Sequence, residues 1–499
     1  MSDLFVSRER AENDLLAAAA YLGERIRSSD GRAEAMNVVV PIYLSRGEVD
    51  LAAELANSLA DPYSRDKLLT LVAEKCAEID DVEYAQQLAD AVEDHGLRSQ
   101  AYERIALARA GNGDAAGALE IAETMAHPGF VIAAVAAKQS ENGDDASARS
   151  SLETIDFPTA RVSAVQHIAS TLVASDRRDE SAEWLASGVE SALEIEHDEE
   201  KIRALCEIGS LYVDAKRNDK AVETFVTARE LTERLDNTLR DFFLGNCALG
   251  FLSAGSPELA DQTLDLITDK TQMASALVGF ARESFKKGET VEAIDVLEEA
   301  YAILRSQHER ETRDSKSRNR LLSVIAIQFA GFGKTERAME IAEENIDADE
   351  RISALSQIAQ ILTRQNEDDL ARQAINMIAD DTDRIFAVLA ISDEKKSLGD
   401  TAQAIVLLDE AADLAKMIPQ PASRSSVLTV IASRYAGYGM EEKVREASVE
   451  NLRVISNIRD ESSQAAAIAQ LAEVYGSMNL ELNDPESTLL HDMMRHILS

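Results

Sequence analysis

A segment of 33 residues, repeated along the chain with variations, limits what this polypeptide can fold into. A clear copy runs from Arg351 to Asp383, RISALSQIAQILTRQNEDDLARQAINMIADDTD. Counting from Arg351, the apolar residues Leu355, Ile358, Ala359 and Leu362 fall at helical spacing and make one stripe. Asn366 interrupts it. Ala371, Ala374, Ile375 and Ile378 make a second stripe, and Arg384 restarts the pattern. The spacing predicts a helix, a short turn and a second helix. Neither helix can bury its stripe alone, so the copies must stack.

The anchor position recurs as Arg32, Arg65, Arg98, Pro128, Arg161, Lys201, Arg240, Met273, Arg318, Arg351, Arg384, Arg424 and Gln464, which makes 13 units. Their spacing is mostly 33 or close to 40 residues. The difference is about two helical turns, so the longer units are expected to extend the second helix and keep the stacking phase. Fifteen residues past the anchor stands a glycine (Gly47, Gly113, Gly143, Gly255, Gly288, Gly333, Gly399 and Gly439) or an acid or amide (Asp80, Asp176, Asn366 and Asn479). These residues suit a first helix that ends in a left-handed residue.

Composition agrees with an all-α fold, because aromatic residues are 5% and there are only 22 Gly and 8 Pro in 499 residues. No apolar run approaches the ~20 residues of a membrane span, and the first residues lack the apolar core of a signal peptide, so the expected compartment is the cytoplasm. The three cysteines, Cys76, Cys206 and Cys247, have no CxxC spacing and read as buried thiols. A formal net charge of −39 argues against nucleic acid or an anionic membrane as partner. It is compatible with a basic protein partner, with a saline cytoplasm, or with an acidic surface that only confers solubility.

In Arg203 to Leu235, the residues Leu205, Ile208, Gly209, Tyr212, Ala221, Phe225 and Ala228 fall in the slots of the tetratricopeptide repeat (TPR) pattern. The chain resembles that family over about residues 32–479. Two features depart from it: the small-residue slot usually holds Ala, as in Ala73 and Ala359, and the late helix-ending proline is missing. The resemblance implies a right-handed α-α superhelix of about 13 helix pairs. A capping helix is expected at each end, over residues 1–31 with Leu15, Leu16, Ala19, Leu22 and Ile26, and over residues 480–499 with Leu490, Met493 and Met494. The second could also protrude and pair with a partner or with another copy.

The resemblance further implies that first helices line a concave groove. Groove positions here include Asn37, Gln166 and Gln360, with Phe130, Phe242 and Phe386 two residues past their anchors. The phenylalanines either anchor apolar side chains of a bound peptide or fill space between units. The Lys and Asn set with which some members clamp a C-terminal carboxylate is absent. Arg305, Arg310, Arg313 and Lys316 form a basic stretch on an acidic chain, either a docking patch for an acidic partner or second copy, or a solvated helix end. Arg65, Arg98, Arg161, Arg351 and Arg384 read as structural pins between units. Each opposes the dipole of the helix it begins, and acids such as Asp156, Asp269, Asp347 and Asp380 are the expected compensation.

The seven histidines are scattered, and no HExxH, phosphate-binding glycine loop or GxSxG is present. No catalytic residue, metal ligand or cofactor is expected. The reading is a non-catalytic scaffold or adaptor that holds protein or peptide partners, with self-association open. The alternative is a regulatory receptor that takes a peptide in the groove and changes its superhelical shape.

Overall fold

The computed structural model describes residues 4–307 and 315–498, and among the described residues it contains 28 helices and no strand. The chain divides into two compact units, Met1–Arg109 with Thr363–Ser499 and Ala110–Leu362. The first unit opens with α1 (Arg8–Ala11), α2 (Leu15–Arg25), α3 (Ser29–Ser45), α4 (Val49–Asn57), α5 (Pro62–Glu78), α6 (Val82–Ala91) and most of α7 (His95–Gly111). The second holds α8 (Ala115–Ala122), α9 (Gly129–Glu141), α10 (Asp145–Glu153), α11 (Pro158–Ala174), α12 (Arg178–Leu193), α13 (Asp198–Asp214) and α14 (Asn218–Thr232). It continues through α15 (Arg240–Ser253), α16 (Pro257–Leu264), α17 (Lys270–Lys286), α18 (Thr290–Gln307), α19 (Ser315–Gly331), α20 (Thr335–Glu343) and most of α21 (Ala348–Arg364). The first unit then resumes with α22 (Asp368–Asn376), α23 (Asp381–Ser397), α24 (Thr401–Ala415), α25 (Pro421–Ala436), α26 (Glu441–Ile455), α27 (Glu461–Met478) and α28 (Asp484–Leu498).

Each anchor opens a long first helix, and the stripe that follows it is buried: Leu355, Ile358, Ala359 and Leu362 of α21 are at most 1% exposed. The long units lengthen the second helix, as expected. Second helices α12, α14, α18, α24 and α26 have 15 to 18 residues, against 8 or 9 in α8, α16, α20 and α22.

Among the described residues 13 have positive φ, and each stands fifteen residues past an anchor. Twelve are the glycines, aspartates and asparagines anticipated; the last is Lys216, at φ 62°. There the chain reverses through a hydrogen bond that spans six residues, as from Arg217 N to the Tyr212 carbonyl at 2.8 Å and from Ser256 N to the Phe251 carbonyl at 2.9 Å. This closes the orphan carbonyls of the first helix.

In the first unit the stacking order departs from the chain order. Helix α2 lies against α27 as a second helix lies against the first within a repeat, and it also packs on α3, while α27 itself packs on α3. The stack therefore reads α23 with α24, α25 with α26, α27 with α2, α3 with α4, α5 with α6. The alanine run LLAAAA of α2 permits this, since Leu16 through Ala20 have no exposed surface. Helix α2, expected as a cap at the end of the array, is instead covered by both α27 and α3: Leu15, Tyr21, Leu22 and Ile26 are also at most 5% exposed. Burying these large side chains contributes on the order of 10 kcal/mol before conformational entropy is subtracted.

Helix α28 takes another place. With α2 in the partner position of α27, α28 lies on α26 and buries Leu490, Met493 and Met494. Its start is fixed by a capping box, in which Asn483 N donates to Glu486 Oε2 at 2.8 Å and Glu486 N to Asn483 Oδ1 at 3.1 Å. The buried Glu486 also pairs with Arg445 of α26 at 3.0 Å.

Candidate groove on the first helices of the repeats

Two of the five anchor arginines read as pins reach back to the preceding helix. Arg98 donates to the Val92 carbonyl at 2.8 Å, and Arg351 to the Asn345 carbonyl at 3.2 Å; each guanidinium reaches back six residues to the end of the preceding second helix. A cation at a helix C-terminus is favourable, which offsets its cost at the start of its own helix. Arg65 instead bridges Asp66 at 2.9 Å and Glu93 at 3.1 Å, while Arg161 pairs with Glu194 and Arg384 with Asp381. Three of the acids expected to meet these arginines cap the following helix. Asp269 accepts from Gln272 N at 2.8 Å, Asp347 from Glu350 N at 3.1 Å, and Asp380 from Thr382 N at 2.8 Å and Asp383 N at 3.0 Å. A carboxylate so placed satisfies orphan N–H groups and the positive end of the dipole.

Within the second unit, three successive first helices, α13, α15 and α17, enclose a cleft of about 420 Å³. Its walls include Glu207, Ser210 and Asp214 from α13, Asn246 and Leu249 from α15, and Glu283 and Lys286 from α17. Phe225 of α14 reaches the cleft between two glycines. A Cβ on Gly209 would stand 2.7 Å from its ring, and one on Gly250 closer still, so both positions need glycine for this packing. Three carboxylates and a single lysine line it, and Lys286 is already paired with Glu283 at 2.6 Å. The cleft is acidic.

The nominated groove residues are distributed as follows. Gln166 donates to Glu207 on the cleft wall at 3.0 Å. Gln360 turns back to the Ser356 carbonyl of its own helix at 3.4 Å, and Asn37 is exposed. Phe130 is 57% exposed and Phe242 and Phe386 are each 42% exposed, but none of them lines the cleft. Phe242 rests edge-on against the buried Phe243, with ring centres 5.4 Å apart. An exposed aromatic that the repeat pattern did not nominate is Phe157, which precedes α11 and meets His127 edge-on at 5.8 Å. It lies in a loop between units, where helical periodicity gives no signal.

Of the basic stretch, Arg305 and Lys316 are exposed, while Arg310 and Arg313 lie outside the described residues. Arg305 borders a separate cleft of about 600 Å³ beside Lys270, Glu298, Tyr301 and Arg337. There Arg337 pairs with Glu298 at 3.0 Å and lies 4.6 Å over the Tyr301 ring. Cations elsewhere are likewise engaged between repeats, as in Arg434 with Asp393 at 2.7 Å and Arg372 with Glu410.

Cys206 and Cys247 are buried, as the sequence implies, and their sulfurs lie 3.8 Å apart. Cys206 stands five residues past its anchor and Cys247 seven past the next one, a neighbour relation that aligning the two units could have exposed.

Paired helices, a left-handed turn residue in every repeat and first helices packed on first helices define the architecture. The fold is TPR-like. No protein-family model and no curated protein matches the sequence. Among solved structures the chain is similar to Ton1535 from Thermococcus onnurineus NA1, at 17% identity over 70% of this chain and 97% of that one, with a TM-score of 0.25. It is similar to a putative kinesin light chain with TPR-like repeats from Podosopora anserina, at 16% identity over 44% of this chain and 97% of that one (TM-score 0.24). The apo form of the quorum sensor NprR from B. thuringiensis is 12% identical over 66% of this chain and 97% of that one (TM-score 0.26).

Proposed function

We propose that the chain is a non-catalytic scaffold or adaptor for proteins, and that the α13–α15–α17 cleft takes an extended, basic segment of a partner. The carrying observation is the cleft itself, which is lined by Glu207, Asp214 and Glu283 against one lysine, Lys286, already paired with Glu283. A lysine or arginine entering it would meet carboxylates already positioned on helices. Each such contact contributes on the order of 1 kcal/mol when exposed and more as water leaves. The net charge of −39 would speed the encounter with a basic partner and repel nucleic acid. The cleft walls supply three carboxylates, two hydroxyls, an amide, a lysine and the Cys206 thiol but no histidine, and among the described residues no group of three His, Cys, Asp or Glu could hold a metal. No helix among them is long and apolar enough to cross a membrane.

Phe242 and Phe130, exposed on first helices of the same unit, are proposed as apolar anchors for residues flanking the basic segment. Phe386 has the same place on α23 of the other unit, and Asn37 and Gln360 would supply polar contacts. Arg305 and Lys316 are proposed as a secondary site for an acidic partner or second copy. The alternative is a regulatory receptor: a change in compactness when the basic peptide binds would support it, and an unchanged shape favours the scaffold.

The test is fluorescence anisotropy with an extended Lys/Arg-rich peptide and an Asp/Glu-rich one, at about 0.05 M and 0.5 M salt. The basic peptide is expected to bind, to lose about tenfold or more in affinity at the higher salt, and to bind weakly to a Glu207→Gln, Glu283→Gln double variant. Equal binding of both peptides, or an unaffected double variant, sinks the proposal.

A further inference from the structure

The chain has three cysteines in 499 residues, and two of them meet across adjacent repeats. Cys206 is on α13 and Cys247 on α15, 41 residues apart in sequence, with their sulfurs separated by 3.8 Å. A disulfide needs about 2.0 Å between sulfurs, so the two must close by less than the width of an atom. Cys247 has no exposed surface, while Cys206 is 8% exposed and lines the acidic cleft, the side from which a small oxidant would approach. Cys76, on α5 in the other unit, is fully buried and serves as an internal control.

We propose that Cys206 and Cys247 are a redox modification site, oxidised by a hydroperoxide to a disulfide that staples α13 to α15 beneath the cleft. In the first step the Cys206 sulfur attacks the peroxide, the O–O bond breaks, an S–O bond forms, and one water (an alcohol for an organic hydroperoxide) leaves with the thiol proton. In the second the Cys247 sulfur displaces the hydroxyl of the Cys206 sulfenic acid, the S–S bond forms and a second water leaves. Two thiols are oxidised and one peroxide is reduced. The Cys206 thiol is held above its ordinary range, first by its contact with the Cys247 sulfur, then by burial and by the nearby Glu207 charge. A thiol held in its protonated form attacks peroxide more slowly than a free thiolate does. Once formed, the bond fixes the spacing of two cleft walls. The chemistry does not depend on what occupies the cleft.

The folded full chain is treated with excess hydrogen peroxide, quenched, denatured and labelled with N-ethylmaleimide, and its intact mass is read. The expected product carries one label, on Cys76, is lighter by two hydrogens before labelling, yields a cross-linked peptide pair containing Cys206 and Cys247, and regains three labels after dithiothreitol. Its thermal midpoint should exceed that of the reduced chain. Three labels after oxidation, a disulfide through Cys76 or to a second chain, or Cys206 over-oxidised with Cys247 free would each overturn the proposal. In Cys247→Ser, Cys206 should stop at the sulfenic acid and be captured by dimedone; a folded variant with no dimedone adduct would also overturn it.

Discussion

Arg46 Nη2 donates to the carbonyl of Ala472 at 2.8 Å, although 426 residues separate them in sequence. The same guanidinium pairs with Asp14 at 3.3 Å, and Ser462 Oγ donates to Glu34 Oε2 at 2.8 Å. These bonds line the seam where α2 fills the second-helix position beside α27. A tether of this kind makes the first helices of the chain part of its last repeat.

Removing residues 4–26 should therefore act at a distance. The amides of α27 and α3 are expected to exchange hydrogen much faster, while those of α13 and α14 keep their protection. The point variant Leu16→Ala should cost about 2–5 kcal/mol, since it leaves a cavity at a fully buried position. Unchanged exchange in α27 after the truncation would show that the seam is dispensable.

Lys216 occupies the left-handed turn position that glycine fills in eight other units. A side chain there carries a strain of about 1–2 kcal/mol, partly offset by the greater entropy glycine loses on folding. Lys216→Gly is expected to stabilise the protein by about 0.5–1 kcal/mol in urea denaturation. Gly255→Ala should cost about 1 kcal/mol for conformational reasons alone, because a Cβ on Gly255 would meet nothing within 4 Å.

Gly250→Ala tests the opposite cause, a collision with the Phe225 ring at a normal helical conformation. Overpacking of this type costs about 1–3 kcal/mol. Adding Phe225→Leu should recover part of the loss. Two costs that simply add, in a double-mutant cycle read by chemical denaturation, would show that the ring does not need the space.

Asp241 is buried beside Arg240 and accepts from Thr268 N at 2.8 Å, Thr268 Oγ1 at 2.9 Å and Asp269 N at 2.6 Å, joining one repeat to the next. Burial pushes its carboxyl up, but the Asp269 and Thr268 hydrogen bonds, with Arg240, bring the net shift below the ordinary range. A group lowered in the folded state stabilises above its unfolded pKa of about 3.9, and that contribution fades as pH falls through the folded value. Asp241→Asn should cost about 1–3 kcal/mol near pH 7, with the gap to the parent chain narrowing below about pH 4. A gap independent of pH would remove the charge from the explanation.

Helix pairs, their number and the long second helices follow from the sequence, because apolar spacing and turn residues act over a few neighbours. The local pattern placed the glycines of the turns but not Lys216, whose left-handed φ is imposed by the hydrogen bond that Arg217 makes to Tyr212. It nominated Gln166 but could not show its hold on Glu207. Only the tertiary structure decided that α2 pairs with α27, that Arg98 and Arg351 cap the preceding helix, and that Cys206 meets Cys247. Those relations join residues whose sequence neighbours carry no trace of one another. They arise when stacked repeats bring buried faces together, and the apolar stripe that drives stacking specifies that a helix must be covered without specifying which helix covers it.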